Sequence, residues 1–491
     1  MLKVLFASSE ISPWVKTGGL GDVAAALPPA LAAAGCELRL LLPAYPALRQ
    51  AFGERLAPIA RVAPAGAALP GATLLSAPMG DGVELMLLDA PHLYDRPGNP
   101  YVDANGRDHP DNLLRFGLLS RVAALLSSAD SPIGWRPHVL HCNDWQTGLA
   151  PAFLHYFHGG ERAASVLTIH NIAFQGLFGR EALDALGLPG DAFRFDGVEF
   201  HGHVSFLKAG LQFCDRIATV SPTYAREILS PEFGWGLEGL LRHRADRVHG
   251  ILNGIDTDAW NPASDPALAR TYDAGTLERK AENRRDLQRR IGLAADEGAP
   301  LLGVVSRLTG QKGLDLLLAL GDRLCEGGAQ IALLGSGEAA LQDGWQAVAH
   351  RHPGRCAVVL GFDEALAHRI EAGADLFVMP SRFEPCGLNQ MYSMRYGTPP
   401  VVRRTGGLAD TVVDADEAAR TGGQGNGFVF DEPSAQSLEE ALRRAFAARR
   451  DASRWRAIQR AGMSADFGWA GAAREYLAVM QLAAAGRRDA A

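Results

Sequence analysis

Arg307 and Lys312 stand five residues apart in Ser306-Arg307-Leu308-Thr309-Gly310-Gln311-Lys312-Gly313, between an apolar strand and a helical pattern. Two cations so spaced can meet one pyrophosphate, with the next helix N-terminus adding backbone donors. Taken singly, each reads as an ordinary surface cation. Glu384 lies in a second such turn, after the apolar run 376–379 and before a helix opening near Gly387. Its carboxylate can accept from sugar hydroxyls, or simply complement a helix N-terminus. A third turn, Arg404-Thr405-Gly406-Gly407-Leu408, follows the strand at 400–402 and echoes Lys16-Thr17-Gly18-Gly19-Leu20 near the start of the chain. Each copy has an aspartate two residues on, Asp22 or Asp410. Paired glycines let backbone approach a ligand closely and expose N–H donors. The repeated turn suggests two α/β halves facing each other across a ligand. His170 and Asp144 follow apolar runs as well, where ligand residues collect or where helices are capped. There is no His-Glu-x-x-His and no Cys/His array, so charge on a departing phosphate is expected to meet Arg, Lys and helix ends rather than a metal.

These residues need strands that end together. Apolar runs at 4–7, 38–42, 85–88, 139–141, 166–169 and 217–220 alternate with helical patterns such as 111–126 and 147–157. That alternation predicts a doubly wound, mainly parallel sheet. Turn signals crowd 251–266, which reads as a linker. The alternation then restarts with strands at 301–305, 331–334, 357–360, 376–379 and 400–402 and an edge strand at 427–429. The charged stretch 277–291 reads as a helix with a solvated face. The expected division is 1–255, 256–465, a helix at 466–482 packing back on the first domain, and a tail at 483–491.

At 491 residues, 47% apolar and 21% charged, the chain fits two or three globular domains. A formal net charge of −7 argues against a nucleic-acid partner. The N-terminal apolar run is too short for a secretory signal and reads as a first strand, and no run approaches a membrane span. Cys36, Cys142, Cys214, Cys325, Cys356 and Cys386 form no Cys-x-x-Cys pair, which suits reduced thiols in the cytoplasm. Gly335-Ser336-Gly337 is not a dinucleotide fingerprint, since Ala340 stands where the third glycine belongs.

Together the motifs resemble those of bacterial glycogen synthases and plant starch synthases. The resemblance rests on Lys16-Thr17-Gly18-Gly19-Leu20, His141 through Trp145, Thr168-Ile169-His170-Asn171, Ser221-Pro222-Thr223-Tyr224, Asn253-Gly254-Ile255-Asp256, Arg307 with Lys312-Gly313, Arg382-Phe383-Glu384-Pro385-Cys386-Gly387-Leu388, and Arg404-Thr405-Gly406-Gly407-Leu408. It implies a GT-B fold, two Rossmann-like domains facing across a cleft, and retaining transfer of glucose from ADP-glucose to the non-reducing end of an α-1,4-glucan. Neither a metal nor pyridoxal phosphate is implied. Carried over residue by residue, Glu384, His170, Arg307 and Lys312 are the catalytic set. Lys16, Gly18, Gly19, Thr405, Gly406 and Gly407 join Arg307 and Lys312 on the nucleotide sugar. Asp22, Tyr94, Asp144, Asn253, Cys386 and Gly387 join Glu384 around donor and acceptor sugars. Tyr392 occupies the place where many retaining GT-B enzymes carry a second glutamate; the glycogen and starch synthases also lack that glutamate, and the ribose contact stays unassigned. Three competing readings are a related transferase with another acceptor, a phosphorylase, which would need pyridoxal phosphate, and a glucan-binding scaffold without activity.

Overall fold

Leucine- and valine-rich runs with no polar alternation make strands buried on both faces, and this chain builds its sheets from them. The computed structural model describes residues 1–103 and 105–488. The chain divides into two compact units, one comprising 1–254 and the C-terminal helix, the other Ile255–Gly468.

The first unit carries strands β1 (Leu2–Ala7), β2 (Cys36–Pro43), β3 (Ala57–Val62), β4 (Ala72–Gly80), β5 (Val83–Asp89), β6 (Val139–Asn143), β7 (Ala164–Ile169), β8 (Leu177–Phe178), β9 (Glu199–Phe200), β10 (His203–Ser205), β11 (Arg216–Thr219) and β12 (Val248–Gly250). Nine form one sheet in the order β12-β11-β7-β6-β1-β2-β5-β4-β3, and β8, β10 and β9 form a small antiparallel one. From β12 to β5 every neighbour is parallel, and β4 and β3 complete the edge antiparallel. Val4, Leu5, Phe6 and Ala7 are wholly buried, as a central parallel strand requires. The helix Gly19–Ala33 runs through Pro28 and Pro29 without ending.

The second unit holds β13 (Leu301–Val305), β14 (Gln330–Gly335), β15 (Cys356–Leu360), β16 (Leu376–Met379), β17 (Pro400–Arg403) and β18 (Phe428–Phe430). All are parallel, in the order β15-β14-β13-β16-β17-β18. The strand order reverses direction at β13, so β13 and β16 diverge into helices on opposite sides, and their carboxyl ends frame the crevice where such sheets take ligands.

Two expectations change. The helix Lys280–Ile291 is not simply solvated: Lys280 is buried and donates to the carbonyls of Glu371 (3.1 Å) and Ala372 (2.5 Å) and to Thr398 (2.6 Å), while Arg284 pairs with Asp375. The helix Trp469–Arg488 packs on the helix Gly19–Ala33 and on β7, and it continues through most of the stretch read as a tail, with Ala483 and Ala484 buried. The remainder of that stretch, 489–491, lies outside the described residues. Among the described residues no helix is long and apolar enough to cross a membrane.

Candidate active site

In the second unit, three loops leave the carboxyl ends of β13, β16 and β17. The turn Gly310–Lys312 ends at Gly313, whose φ is +64°; a methyl there would lie 2.0 Å from the Pro380 carbonyl. Glycine thus lets the Lys312 loop press against the end of β16. Lys312 Nζ donates to Glu384 Oε2 at 2.6 Å, and Ser381 Oγ donates to the same oxygen at 2.9 Å. Arg382 locks the pair of loops from behind, with two bonds to Asp315 (2.6 and 2.7 Å) and one to the Gly310 carbonyl (2.8 Å). That bidentate pairing raises the arginine further above its already high range and lowers Asp315. Arg307 is exposed and makes no ion pair among the described residues.

The Thr405-Gly406-Gly407 turn fits against the Glu384 loop. Gly406 has φ +43°, and a methyl on it would fall 1.9 Å from the Glu384 carbonyl. The Gly407 N–H is engaged within the protein, donating to the carbonyls of Glu384 (3.2 Å) and Pro385 (3.1 Å). At Gly407, expected on the nucleotide sugar, the missing side chain also lets two loops meet: a methyl there would fall 2.1 Å from the Cys386 carbonyl. Thr405 is buried and Gly387 has φ +69°, beside Gln390. Cys386 is buried, its carbonyl accepting from Gln390 at 3.2 Å. Arg404 pairs with Asp431 (2.7 Å) and Glu417 (2.8 Å), and Arg403 holds the Arg382 and Asp431 carbonyls, so both cations are structurally committed. Tyr392 stacks on Trp260 at 3.8 Å, and His368 stacks on that ring's other face, also at 3.8 Å.

In the first unit, the Lys16 turn is gripped by Glu10. This buried carboxylate accepts from Thr17 N and Thr17 Oγ1 (2.6 Å each), Gly18 N (3.3 Å) and Tyr101 Oη (2.5 Å). Burial raises its pKa, and the hydrogen bonds from Thr17, Tyr101 and Gly18 oppose that shift. Lys16 reaches Asp22 at 2.7 Å and stays partly exposed. Gly18 is extended and leads into the helix that starts at Gly19.

His170 and Asp144 meet at the ends of β7 and β6. Asp144 Oδ1 accepts from His170 N at 2.7 Å and Asn171 N at 3.3 Å. A trans peptide points its N–H and C=O in opposite directions, so this grip aims the His170 carbonyl away from the carboxylate. Asp144 itself sits at φ 55°, uncommon for a non-glycine residue. Burial pushes its carboxyl up to about 7 despite the two amide donors. The Asn143 side chain donates to the Ala7 carbonyl (3.1 Å), which turns its Oδ1 toward His170 Nε2 at 2.9 Å. His170 therefore donates from Nε2, and burial lowers its pKa to about 3, keeping the ring neutral.

Tyr94, expected at the sugars, is wholly buried and gives its hydroxyl to the Arg115 carbonyl at 2.6 Å. That bond ties it to the helix Asn112–Leu126. Asn253 is buried, and its Oδ1 has no hydrogen-bond partner among the described residues. Sequence reading missed Glu10 and Tyr101; the one available signal was an acidic residue three positions past a strand end. Among the described residues no three His, Cys, Asp or Glu side chains are grouped to hold a metal.

Residues 3–243 match the starch synthase catalytic domain family, and residues 287–461 match glycosyl transferases group 1. A glycogen synthase of Dechloromonas aromatica is 59% identical, over 99% of this chain and 99% of its own. Another, of Aromatoleum aromaticum, is 54% identical over 97% and 96%. The catalytic domain of starch synthase IV from Arabidopsis thaliana, solved with ADP and acarbose, superposes with a TM-score of 0.86 at 33% identity, covering 99% of both chains. Two parallel-sheet units and the turn motifs at their strand ends now have a common explanation: the chain belongs to the glycogen and starch synthase family of GT-B glycosyltransferases.

Proposed function

We propose that the protein transfers glucose from ADP-glucose to the non-reducing end of an α-1,4-glucan with retention of configuration, releasing ADP. The observation that carries this reading is the cluster at the ends of β13 and β16: Lys312 is bonded to Glu384 at 2.6 Å, and Arg307, five residues earlier in the loop after β13, makes no ion pair among the described residues. Two cations and one carboxylate suit a diphosphate joined to a hydroxyl-rich sugar. The ADP and acarbose of the starch synthase IV structure support the choice of nucleotide and glucan.

A retaining route through a covalent intermediate would usually need two carboxylates about 5 Å apart flanking the sugar, one of them the nucleophile. Glu384 is committed to Lys312 and Ser381, which favours holding hydroxyls over attacking carbon. The reading here is a same-face transfer. The bond between anomeric carbon and phosphate oxygen breaks, the acceptor hydroxyl oxygen bonds to that carbon, and its proton passes to the departing phosphate. Arg307 and Lys312 stabilise the charge growing on ADP, where fixed cations contribute most. A neutral His170, oriented by Asn143 and clamped by Asp144, offers its carbonyl to the positive charge developing on the ring. Six scattered, buried cysteines support a reducing, cytoplasmic setting.

Purified protein treated with EDTA, given ADP-glucose or UDP-glucose with and without glycogen, tests the proposal. Glycogen-dependent ADP release with chain lengthening is expected. No lengthening with either donor overturns it; lengthening only after a divalent cation is restored overturns the role given to the two cations.

A further inference from the structure

Two residues before Glu384, Arg382 directs its side chain onto another loop. Its two terminal nitrogens grip both Asp315 oxygens at 2.6 and 2.7 Å, and one of them also donates to the Gly310 carbonyl at 2.8 Å. Asp315 lies in the first turn of the short helix Leu314–Leu318, three residues after Lys312, and Gly310 lies two residues before it. Arg382 thus clasps the segment carrying Lys312 on both sides. Backbone bonds reinforce the clasp: Arg382 N donates to the Gln311 carbonyl at 2.9 Å, and Gly310 N donates to Glu338 Oε1 at 2.9 Å. The Arg382 carbonyl accepts from Arg403, so the loops after β13, β16 and β17 converge on one residue. With side chains 39% and 43% exposed, an ordinary ion pair would contribute little to stability. A planar fork that meets a carboxylate and a carbonyl at once fixes direction as well as distance.

We propose that Arg382 is a positioning residue for glucose transfer: bound to Asp315 and the Gly310 carbonyl, it holds the Arg307–Lys312 loop in register with Glu384 without touching substrate itself. The inference rests on the reading of that cluster as the diphosphate and sugar site. Lys312 and Glu384 sit on different loops, and their 2.6 Å bond alone leaves the pair free to swing together. The arginine removes that freedom, so the cation meets charge growing on the diphosphate while the carboxylate keeps its hold on the sugar. Misplacing such groups by an ångström costs up to about 100-fold in rate. Ground-state binding tolerates the shift better, because complementarity is strictest where charge develops. Lysine cannot substitute, since one ammonium has no fork to span Asp315 and the carbonyl.

Kinetics of Arg382→Gln, Arg382→Lys, Asp315→Asn and the double variant Arg382→Gln/Asp315→Asn of the full-length protein, with ADP-glucose and glycogen, test this. Arg382→Gln should lower kcat roughly 10- to 100-fold. Its KM for ADP-glucose and its calorimetric Kd for ADP should stay within about threefold of the parent. Asp315→Asn should act in the same direction, and Arg382→Lys should stay at least about fivefold below the parent. The double variant should be no slower than Arg382→Gln, because the two side chains act as one unit. Tm should fall by no more than about 2 °C. Arg351 makes the same kind of pair with Asp322 (3.0 and 2.8 Å) between the helices Gly321–Glu326 and Ala339–Arg351, and Arg351→Gln should leave turnover unchanged. Parental kcat in Arg382→Gln, full recovery in Arg382→Lys, or losses that multiply in the double variant overturn the positioning role and leave the assignment of the site intact. An ADP Kd that weakens as far as kcat falls also overturns it, since the arginine would then be a binding group. Unfolding of Arg382→Gln at the assay temperature would mark the pair as structural and overturn it as well. A parent protein that never lengthens glycogen overturns both readings.

Discussion

Arg307 and Lys312, read alike as cations five residues apart, have different structural situations. Lys312 is nearly enclosed and bonded to Glu384; Arg307 is exposed and without an ion-pair partner among the described residues. Their failures should differ accordingly. Arg307→Ala should lower kcat about 100-fold, as loss of one preorganised charge does, while leaving the Tm within a degree or two. Glu384→Ala should abolish transfer and also cost about 3 kcal/mol of stability, because it strands a largely buried lysine. Turnover assays paired with thermal unfolding distinguish the two. Asp144 gives a pH signature. Its folded pKa, about 7, lies above the unfolded carboxylate value of 3.8, so the stability it contributes is complete below 3.8 and is lost as pH rises through 7. Asp144→Asn keeps an acceptor for the two amides and removes that loss. Its stability relative to the parent should therefore improve from pH 5 to pH 8 in urea titrations; a flat difference would contradict the buried carboxyl. His170 and His141, both held near 3 by burial, act oppositely in both proteins: the stability they add is present above 6.5 and fades on acidification toward 3.

At the level of the loop, the second-unit cluster is assembled by backbone contact. Gly406 meets the Glu384 carbonyl and Gly313, next to Lys312, meets the Pro380 carbonyl, so glycines of two neighbouring loops seat the loop that carries Glu384. Gly406→Ala combines positive φ with a methyl only 1.9 Å from the Glu384 carbonyl oxygen. Strain of that kind costs about 1–3 kcal/mol, and relieving it moves the Glu384 loop. Transfer should drop at least tenfold with circular dichroism preserved; normal turnover would show that the turn does not position Glu384. The parallel strands and the turns at their ends were legible because an unbroken apolar run followed by a polar cluster has few other uses in a βα alternation. Glu10 and Tyr101 were not legible: their bond joins residues 91 apart through a loop with no periodic pattern. The β3–β4 hairpin escaped for a local reason, since β3 is a largely exposed edge strand in which Pro58 and Arg61 break the apolar run. Lys280 escaped because its charge is satisfied by carbonyls from the distant 371–372 segment, which no helical pattern announces.

At the scale of the molecule, the helix Trp469–Arg488 is part of the first unit although the whole second unit precedes it in the chain. Tyr476 and Met480 are fully buried on it. Tyr476→Ala should cost about 3–5 kcal/mol, as for other large aromatic truncations, and a fluorescence-monitored urea transition should show the loss. Unequal effects on two resolved transitions would show that the units melt separately. This arrangement makes the second unit an insertion between Gly254 and Trp469. During synthesis a ribosome must therefore deliver the closing helix of the earlier unit last, leaving the apolar surface of helix Gly19–Ala33 and β7 uncovered while some two hundred residues are still being translated. The later-born half can finish folding first, and a chaperone that shields nascent hydrophobic surface has its longest task on the half that emerged first.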